Sequence, residues 1–231
     1  MQLLTVLVVV LGSVGASSQD ASTGGLSRVD HLIYATPDLE RTVEWFQQRL
    51  GVEATLGGSS PDRGTHNALI AVGPATYLEI VAPDPRQQNP PHPPWWLHGL
   101  EKPHLVQWAV KGTDLEHVRT MAVQRGIPLG EVLSGSRQRP DGVLLTWRFT
   151  SPRQPVAEGI VPFFIVWGLS PHPATSSVKG VQLIALRAEH PDHRRVQGML
   201  HQLGIDLAVT RGSRPALIAT IEGPRGRLEL R

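Results

Sequence analysis

The chain carries near its start the segment Val29-Asp30-His31-Leu32-Ile33-Tyr34-Ala35, which runs directly into Thr36-Pro37-Asp38. A run rich in β-branched and aliphatic residues predicts a strand, and a Thr or Asp before an amphipathic stretch predicts a helix N-terminus. The apolar side of that helix includes Phe46 and Leu50, and Gly51 follows where a left-handed residue commonly ends a helix. The segment therefore predicts a strand, a tight turn and one helix.

The same order of strand, turn and helix returns twice, beginning at Leu105–Val110 and at Val181–Leu186. The helix-start aspartates are 76 and 78 positions apart, and the helix-stop glycines are 75 and 78 positions apart. These residues are Asp38, Asp114 and Asp192, and Gly51, Gly126 and Gly204. Runs of β-forming residues separated by Gly, Pro or Ser follow each helix, so each unit is predicted to be β-α-β-β-β.

This pattern predicts an α+β protein in which repeated βαβββ units form paired half-barrels, because a sheet with one bare face must bury that face against another sheet. We assign residues 26–180 to one domain of two units, 26–85 and 104–168, joined by a Pro-rich linker. Residues 181–231 form a third predicted unit. It either packs alongside the first two or completes itself in a homodimer, and the sequence leaves both arrangements open.

Residues 1–25 precede the first unit and contain the apolar run Leu3–Leu11, followed by Val14-Gly15-Ala16. The run is shorter than the roughly 20 apolar residues that span a bilayer. We therefore expect a signal peptide and a linker, and no stable membrane anchor. This predicts a secreted protein or one that reaches its compartment through a cleaved leader. A cytoplasmic protein is the alternative, since no Lys or Arg precedes the apolar run.

The charge and cysteine content exclude several classes of function. The 22 basic and 20 acidic residues leave a formal net charge of +2, which provides no strong field to attract nucleic acid. The chain has no cysteine, so it has no thiol nucleophile, thiolate metal site or disulfide. A metal would have to be held by His, Asp, Glu or neutral oxygen donors. The expected partner is a small-molecule substrate.

Four stretches of the first unit carry a family resemblance. They are Val29-Asp30-His31-Leu32, Asp38-Leu39-Glu40 leading into Leu50-Gly51-Val52, Gly64-Thr65-His66-Asn67-Ala68-Leu69, and Tyr77-Leu78-Glu79-Ile80-Val81-Ala82-Pro83. With the order of elements, they resemble the vicinal-oxygen-chelate superfamily of glyoxalase I, extradiol dioxygenases and fosfomycin-resistance proteins, and most closely its glyoxalase-like branch. The resemblance implies paired units around a divalent metal that chelates two adjacent substrate oxygens.

Carried over residue by residue, the resemblance implies metal ligands at His31 on the first strand, at Glu79 on the fourth strand, and at Gln107 in unit two. The fourth-strand position of unit two falls near Phe164 or Ile165, which cannot bind a metal. The implied activity is that of a metal-dependent lyase, isomerase or oxygenase acting on a small molecule with vicinal oxygens. The alternatives are a metal-free binding protein that uses the same cleft and an inactive scaffold that mediates dimerisation.

Further candidates come from the residues themselves. Glu79 lies in a predicted strand between apolar neighbours, where a carboxylate needs a partner or a metal. We take Glu79 and His66 as candidate catalytic groups, because carboxylate and imidazole side chains transfer protons. His172, in a Pro-flanked loop, and Trp167 are candidate substrate-binding residues. Each histidine has the alternative role of a hydrogen-bonded structural residue.

The segment Pro83–Pro94 contains six prolines and is followed by Trp95-Trp96. Such a segment is stiff and extended, and it predicts the linker between units one and two. Two neighbouring tryptophans are expected to pack back on the domain or to cap the cleft.

Overall fold

A computed structural model describes residues 23–231, and the predicted leader lies outside them. The helices of this range are α1 (Thr23–Leu26), α2 (Leu39–Leu50), α3 (Leu115–Gln124) and α4 (His193–Gln202). None of these helices is long and apolar enough to cross a membrane. The strands are β1 (Val29–Ala35), β2 (Thr55–Ser60), β3 (Thr65–Gly73), β4 (Thr76–Pro83), β5 (His104–Lys111), β6 (Val132–Gln138), β7 (Leu144–Thr150), β8 (Phe163–Val166), β9 (Gln182–His190), β10 (Val209–Arg211), β11 (Ala216–Gly223) and β12 (Gly226–Leu230).

Strands β1 to β8 form one eight-stranded sheet in the order β2-β3-β4-β1-β5-β8-β7-β6. In each half the first strand pairs in parallel with the fourth, and the two first strands pair antiparallel at the centre. The two halves therefore share one pairing scheme and join through β1 and β5. This confirms the predicted α+β fold of paired half-barrels.

The predicted helix boundaries agree with the structure, because both ends are set by local hydrogen bonds. The Asp38 side chain accepts a hydrogen bond from the Arg41 amide at 3.0 Å. Gly51 has φ = +80° and its amide bonds to the Gln47 carbonyl. Helix α3 begins in the same way at Asp114.

Residues 181–231 keep the β-α-β-β-β order but pair differently, in a separate sheet ordered β10-β9-β11-β12. In this sheet the first strand of the unit, β9, lies between the second and third strands, β10 and β11. In the first unit, β1 instead lies beside the fourth strand, β4. Helix α2 lies against this second sheet, since it contacts β11 and β12 and the Leu50 carbonyl accepts a hydrogen bond from the Arg225 amide at 3.2 Å.

The eight-stranded sheet buries two apolar faces. One face packs on the helices in a large core that continues into the second sheet and includes Phe46, Leu50 and Leu217. The other, concave face carries a smaller cluster that includes Ile33 and Phe163. Tryptophans of the linker and of β7 pack against this second cluster. The concave face is therefore partly covered and forms a pocket.

Leu50 and Leu56 form a matched pair that tests the role of α2 between the sheets. Leu50 is 0% exposed, while Leu56 is 67% exposed. Replacing Leu50 by Ala is expected to lower the free energy of unfolding by about 2–5 kcal/mol, because a cavity opens between α2 and the second sheet. Leu56→Ala should change it by less than about 0.5 kcal/mol. Urea denaturation followed by fluorescence measures both, and equal losses would contradict this packing.

Candidate active site

The concave face holds a pocket of about 800 Å³, its open mouth included. Aromatic side chains from both units and the linker form most of its wall: Tyr77, Trp96, Trp147, Phe149, Phe163 and Trp167. The charged or titratable side chains that line it are His31, Arg63, Glu79 and Arg137. An apolar wall with a few polar groups is typical of a small-molecule site.

A bulge in β1 brings two neighbouring side chains together at this pocket. Val29 pairs with Val110 and His31 pairs with Ala109, so Asp30 is left over in the pairing with β5. In a regular strand the side chains of Asp30 and His31 would point to opposite faces. At the bulge they meet instead, with Nδ1 of His31 2.7 Å from Oδ1 of Asp30.

The carboxylate of Asp30 is the centre of a buried hydrogen-bond network. Its side chain is 1% exposed and also accepts hydrogen bonds from Nε1 of Trp167 and Nε2 of His172, each at 3.2 Å. Burial by itself raises the pKa of Asp30. The hydrogen bonds from His172 and His31, and the charge those rings carry when protonated, lower it by more, so the pKa lies well below its usual value.

These contacts determine which ring nitrogen of each histidine carries the proton. Nδ1 of His172 accepts a hydrogen bond from the Ala174 amide at 3.2 Å, so its Nε2 carries the proton given to Asp30. An ionised carboxylate only accepts hydrogen bonds, so His31 donates from Nδ1. Its Nε2 has no hydrogen-bond partner among residues 23–231 and is left for a substrate in the pocket that His31 lines.

The ring of His31 is held in place by two aromatic neighbours. It stacks on Tyr77 with the ring centres 4.7 Å apart and an angle of 16°, and the Phe163 ring meets it edge-on at 5.5 Å. A histidine oriented by a carboxylate and fixed by packing is the usual form of a general base. The role of Asp30 was not predicted from the sequence, although Asp30 lies directly beside His31.

Glu79 lies on the same face, held by a chain of polar contacts. Asn67 donates from Nδ2 to Oε1 of Glu79 at 2.5 Å, and Arg137 donates from Nη1 to Oδ1 of Asn67 at 2.6 Å. Burial, together with the charge of Glu79, raises the pKa of Tyr77 well above its usual value, so the phenol stays protonated. Arg63 lines the same pocket. The roles of Asn67, Arg63 and Arg137 were not identified from the sequence.

The structure separates Gln107 from the other two predicted metal ligands. Ile33 pairs with Glu79 on one side and with Gln107 on the other, so its side chain lies between them. Oε1 of Gln107 accepts a hydrogen bond from Nε1 of Trp95 at 3.4 Å and faces a neighbouring chamber.

The donor set does not fit the divalent metal that the resemblance implies. Residues 23–231 contain no group of three or more His, Asp or Glu side chains arranged to hold a metal ion. His31 and Glu79 alone supply one imidazole and one carboxylate. The guanidinium groups of Arg63 and Arg137 line the same pocket, and their positive charge opposes a cation there.

The remaining predicted site residues are placed as follows. His66 lies on β3 between Thr65 and Asn67, which line the pocket, so its own side chain is directed to the other face. The structure does not bring His66 to His31 and Glu79. Trp167 lines the pocket and binds Asp30, while His172 reaches Asp30 from its loop. Their roles towards a substrate stay predictions.

Asp30→Asn tests the buried network. The variant should lose about 1.5–3 kcal/mol of stability near neutral pH, because hydrogen bonds to a charged group are replaced by weaker ones. The folded-state pKa of Asp30 lies below the unfolded value of about 3.9, so its contribution is complete above that pH and is lost as the pH falls below it.

The difference between the wild type and Asp30→Asn should therefore narrow progressively as the pH falls below about 4.5. Urea denaturation at each pH measures it. The exposed Asp206→Asn serves as the control and should change stability by less than about 0.5 kcal/mol, because no side-chain hydrogen bond or ion pair joins Asp206 to another described residue. A difference that stays constant down to the lowest pH would contradict the ionised, buried carboxylate.

This chain is similar to known proteins in sequence and in fold. A family model described as a glyoxalase-like domain matches residues 29–204. A 2-epi-5-epi-valiolone epimerase from Actinomyces sp. is 31% identical over 93 residues, 33% of this chain and 51% of the relative. The chain thus spans about half the length of that curated relative.

A crystal structure of a hypothetical protein from Staphylococcus aureus superposes with a TM-score of 0.59 at 13% identity, covering 87% of this chain and 84% of the other. The methylmalonyl-CoA epimerase of Mycobacterium tuberculosis superposes with a TM-score of 0.42 at 22% identity, covering 68% of this chain and 98% of the epimerase. The family match includes all eight strands of the main sheet and extends into α4. The protein therefore belongs to the glyoxalase-like domain family of the vicinal-oxygen-chelate superfamily.

Proposed function

We propose that this protein is a small-molecule isomerase or epimerase, which moves a proton on a carbon next to a carbonyl group of an apolar substrate that carries a carboxylate. The observation that carries the proposal is the Asp30–His31 pair, which leaves one imidazole nitrogen for the pocket. The 31% identity over 93 residues to a protein named as an epimerase supports the same class of reaction.

The walls of the pocket supply the binding energy. Aromatic side chains on several sides favour a flat or apolar group, because stacked rings bury large areas in defined geometries. Arg63 and Arg137 provide guanidinium groups that pair with a carboxylate in a planar, two-point geometry. The proposed substrate therefore has an apolar body and one negatively charged end.

Two proton-transfer groups, His31 and Glu79, line the pocket. Moving a proton between them and a substrate carbon requires no oxidant. Glu79 pairs with Ile33 on β1, two residues beyond His31. The side chains of His31 and Glu79 are therefore offset by one strand spacing, about 4.8 Å, and by roughly 6.6 Å along the strand. A substrate carbon between them has one group on each side. This arrangement suits the removal of a proton from one face and its return to the other.

The proposed step breaks the C–H bond beside the carbonyl. The proton goes to one of the two groups, and the electron pair moves to the carbonyl oxygen to form an enolate, which the guanidinium charges stabilise. The enolate then takes a proton from the other group, which enters the cycle protonated, and the C–H bond forms again. Proton exchange with water restores both groups. The negative charge of Asp30 stabilises the imidazolium form of His31 whenever that ring holds the proton.

His31→Asn tests the base directly. In D₂O the wild type should accelerate loss of the C3 proton signals of phenylpyruvate, a ketone-bearing aromatic carboxylate, and the variant should be about 10²–10⁴-fold slower. Proton NMR measures the exchange. His201→Asn, an exposed histidine on α4, is the control and should exchange at the wild-type rate. Equal rates for both variants would overturn the assignment of His31.

The metal-dependent lyase or oxygenase inferred from the family resemblance has its own test. Adding Mn²⁺, Ni²⁺ or Zn²⁺ to the chelator-treated protein should leave the exchange rate unchanged, because His31 and Glu79 are only two ligands and the nearby guanidinium groups of Arg63 and Arg137 oppose a cation. A large gain with a stoichiometric metal would instead support that alternative.

A metal-free binding protein is the second candidate function, and the aromatic wall favours it. Trp96, Trp147 and Trp167 line the pocket, so a bound aromatic carboxylate should change the tryptophan fluorescence. Phenylpyruvate titration of Glu79→Gln distinguishes the two functions. A binding protein keeps its affinity and shows no proton exchange in either form, whereas the proposed isomerase loses exchange in the variant while still binding.

A further inference from the structure

A second chamber of about 570 Å³, its mouth included, adjoins the aromatic pocket. The two share the side chains of Arg63, Phe149 and Pro152, which line both spaces. Trp95 lines the second chamber and Trp96 lines the first. The Pro-rich linker thus supplies a wall to each space, and Arg63 lies at the boundary between them.

The second chamber is lined by two arginines that make no direct ion pair within residues 23–231. Arg63 and Arg153 both line it, and the structure shows no side-chain hydrogen bond or ion pair of either one with another described residue. Asp62 also lines the chamber, but it faces His92, whose Nδ1 lies 2.9 Å from Oδ1 of Asp62. Asp62 therefore has its hydrogen bond with His92 and makes no ion pair with either arginine.

The charges around Arg63 are close enough to influence one another. Burial lowers the pKa of Arg63, the carboxylates of Glu79 and Asp62 raise it, and the positive charge of Arg153 lowers it. Two like charges that share a chamber repel, and an anion between them removes the repulsion.

Neutral donors lie beside these cations. Ser134 and Ser151 line the chamber, and so does Trp95, whose indole N–H makes only a long hydrogen bond of 3.4 Å to Gln107. Hydroxyl, indole and guanidinium groups together match the several acceptor oxygens of a phosphate better than the two of a carboxylate.

We propose that the chamber lined by Arg63 and Arg153 is a phosphate-binding subsite, which holds the distal phosphate of a substrate whose reacting carbon lies beside His31. The position of the reacting carbon rests on the proposed function, while phosphate binding in the chamber does not. The substrate class is then a carbonyl compound with an apolar middle section that carries a phosphate, held by Arg63 and Arg153, in addition to the carboxylate of the proposed function, which Arg137 then holds.

Isothermal titration of the full chain with inorganic phosphate at constant ionic strength tests the subsite. Phosphate should bind, and acetate should bind at least about tenfold more weakly. Arg153→Gln should weaken phosphate binding by about tenfold or more, since it removes one charge-assisted contact. Arg148→Gln is the matched control, because Arg148 is exposed and pairs with Glu116 outside both chambers.

The outcomes separate this inference from the proposed function. Absence of phosphate binding, equal binding by Arg153→Gln, or a preference for acetate would each overturn the phosphate subsite. Phosphate binding that His31→Asn retains, while proton exchange is lost, supports both proposals. Phosphate binding by a wild type that exchanges no protons supports the subsite and contradicts the proposed isomerase. Proton exchange by a wild type that binds no phosphate supports the proposed isomerase and contradicts the phosphate subsite.

Discussion

The buried carboxylate of Asp30 is the interaction on which the site depends. It ties β1 to the end of β8 and to the loop that follows, because it accepts hydrogen bonds from His31, Trp167 and His172 at once. An unpaired charge at that depth would cost several kcal/mol, so three donors must stay in place for the fold to tolerate it. The same contacts that satisfy the charge also fix the orientation of His31. Stability and a defined base therefore come from one group.

The pocket combines parts from distant stretches of chain. His31 and Glu79 come from the first unit, Arg137 and Phe163 from the second, and Trp96 from the linker. The antiparallel pairing of β1 with β5 brings the two halves together along one concave face. The pocket is therefore a product of the paired units, and one unit alone would present a bare sheet face to water.

Local features of the fold were predictable because their causes are local. Asp38 and Asp114 cap helix N-termini through their own side chains, and Gly51 takes the left-handed conformation that ends α2. Strand β2 was harder to place. A strand is predicted at neither Gly58 nor Ser60 on composition, yet both pair with β3 because the neighbouring strand supplies the hydrogen bonds.

The sequence by itself determined the α+β units, their order, the helix boundaries, and the presence of His31 and Glu79 on strands of the first unit. Tertiary structure alone decided which side chains meet. The bulge at Asp30 arises in the pairing with β5, and the contact of Arg137 with Asn67 joins residues 70 positions apart. The tertiary structure also places Ile33 between Glu79 and Gln107, and it directs the side chain of His66 away from the pocket. Strand register and pairing set the face of every side chain, and both depend on neighbours far along the chain.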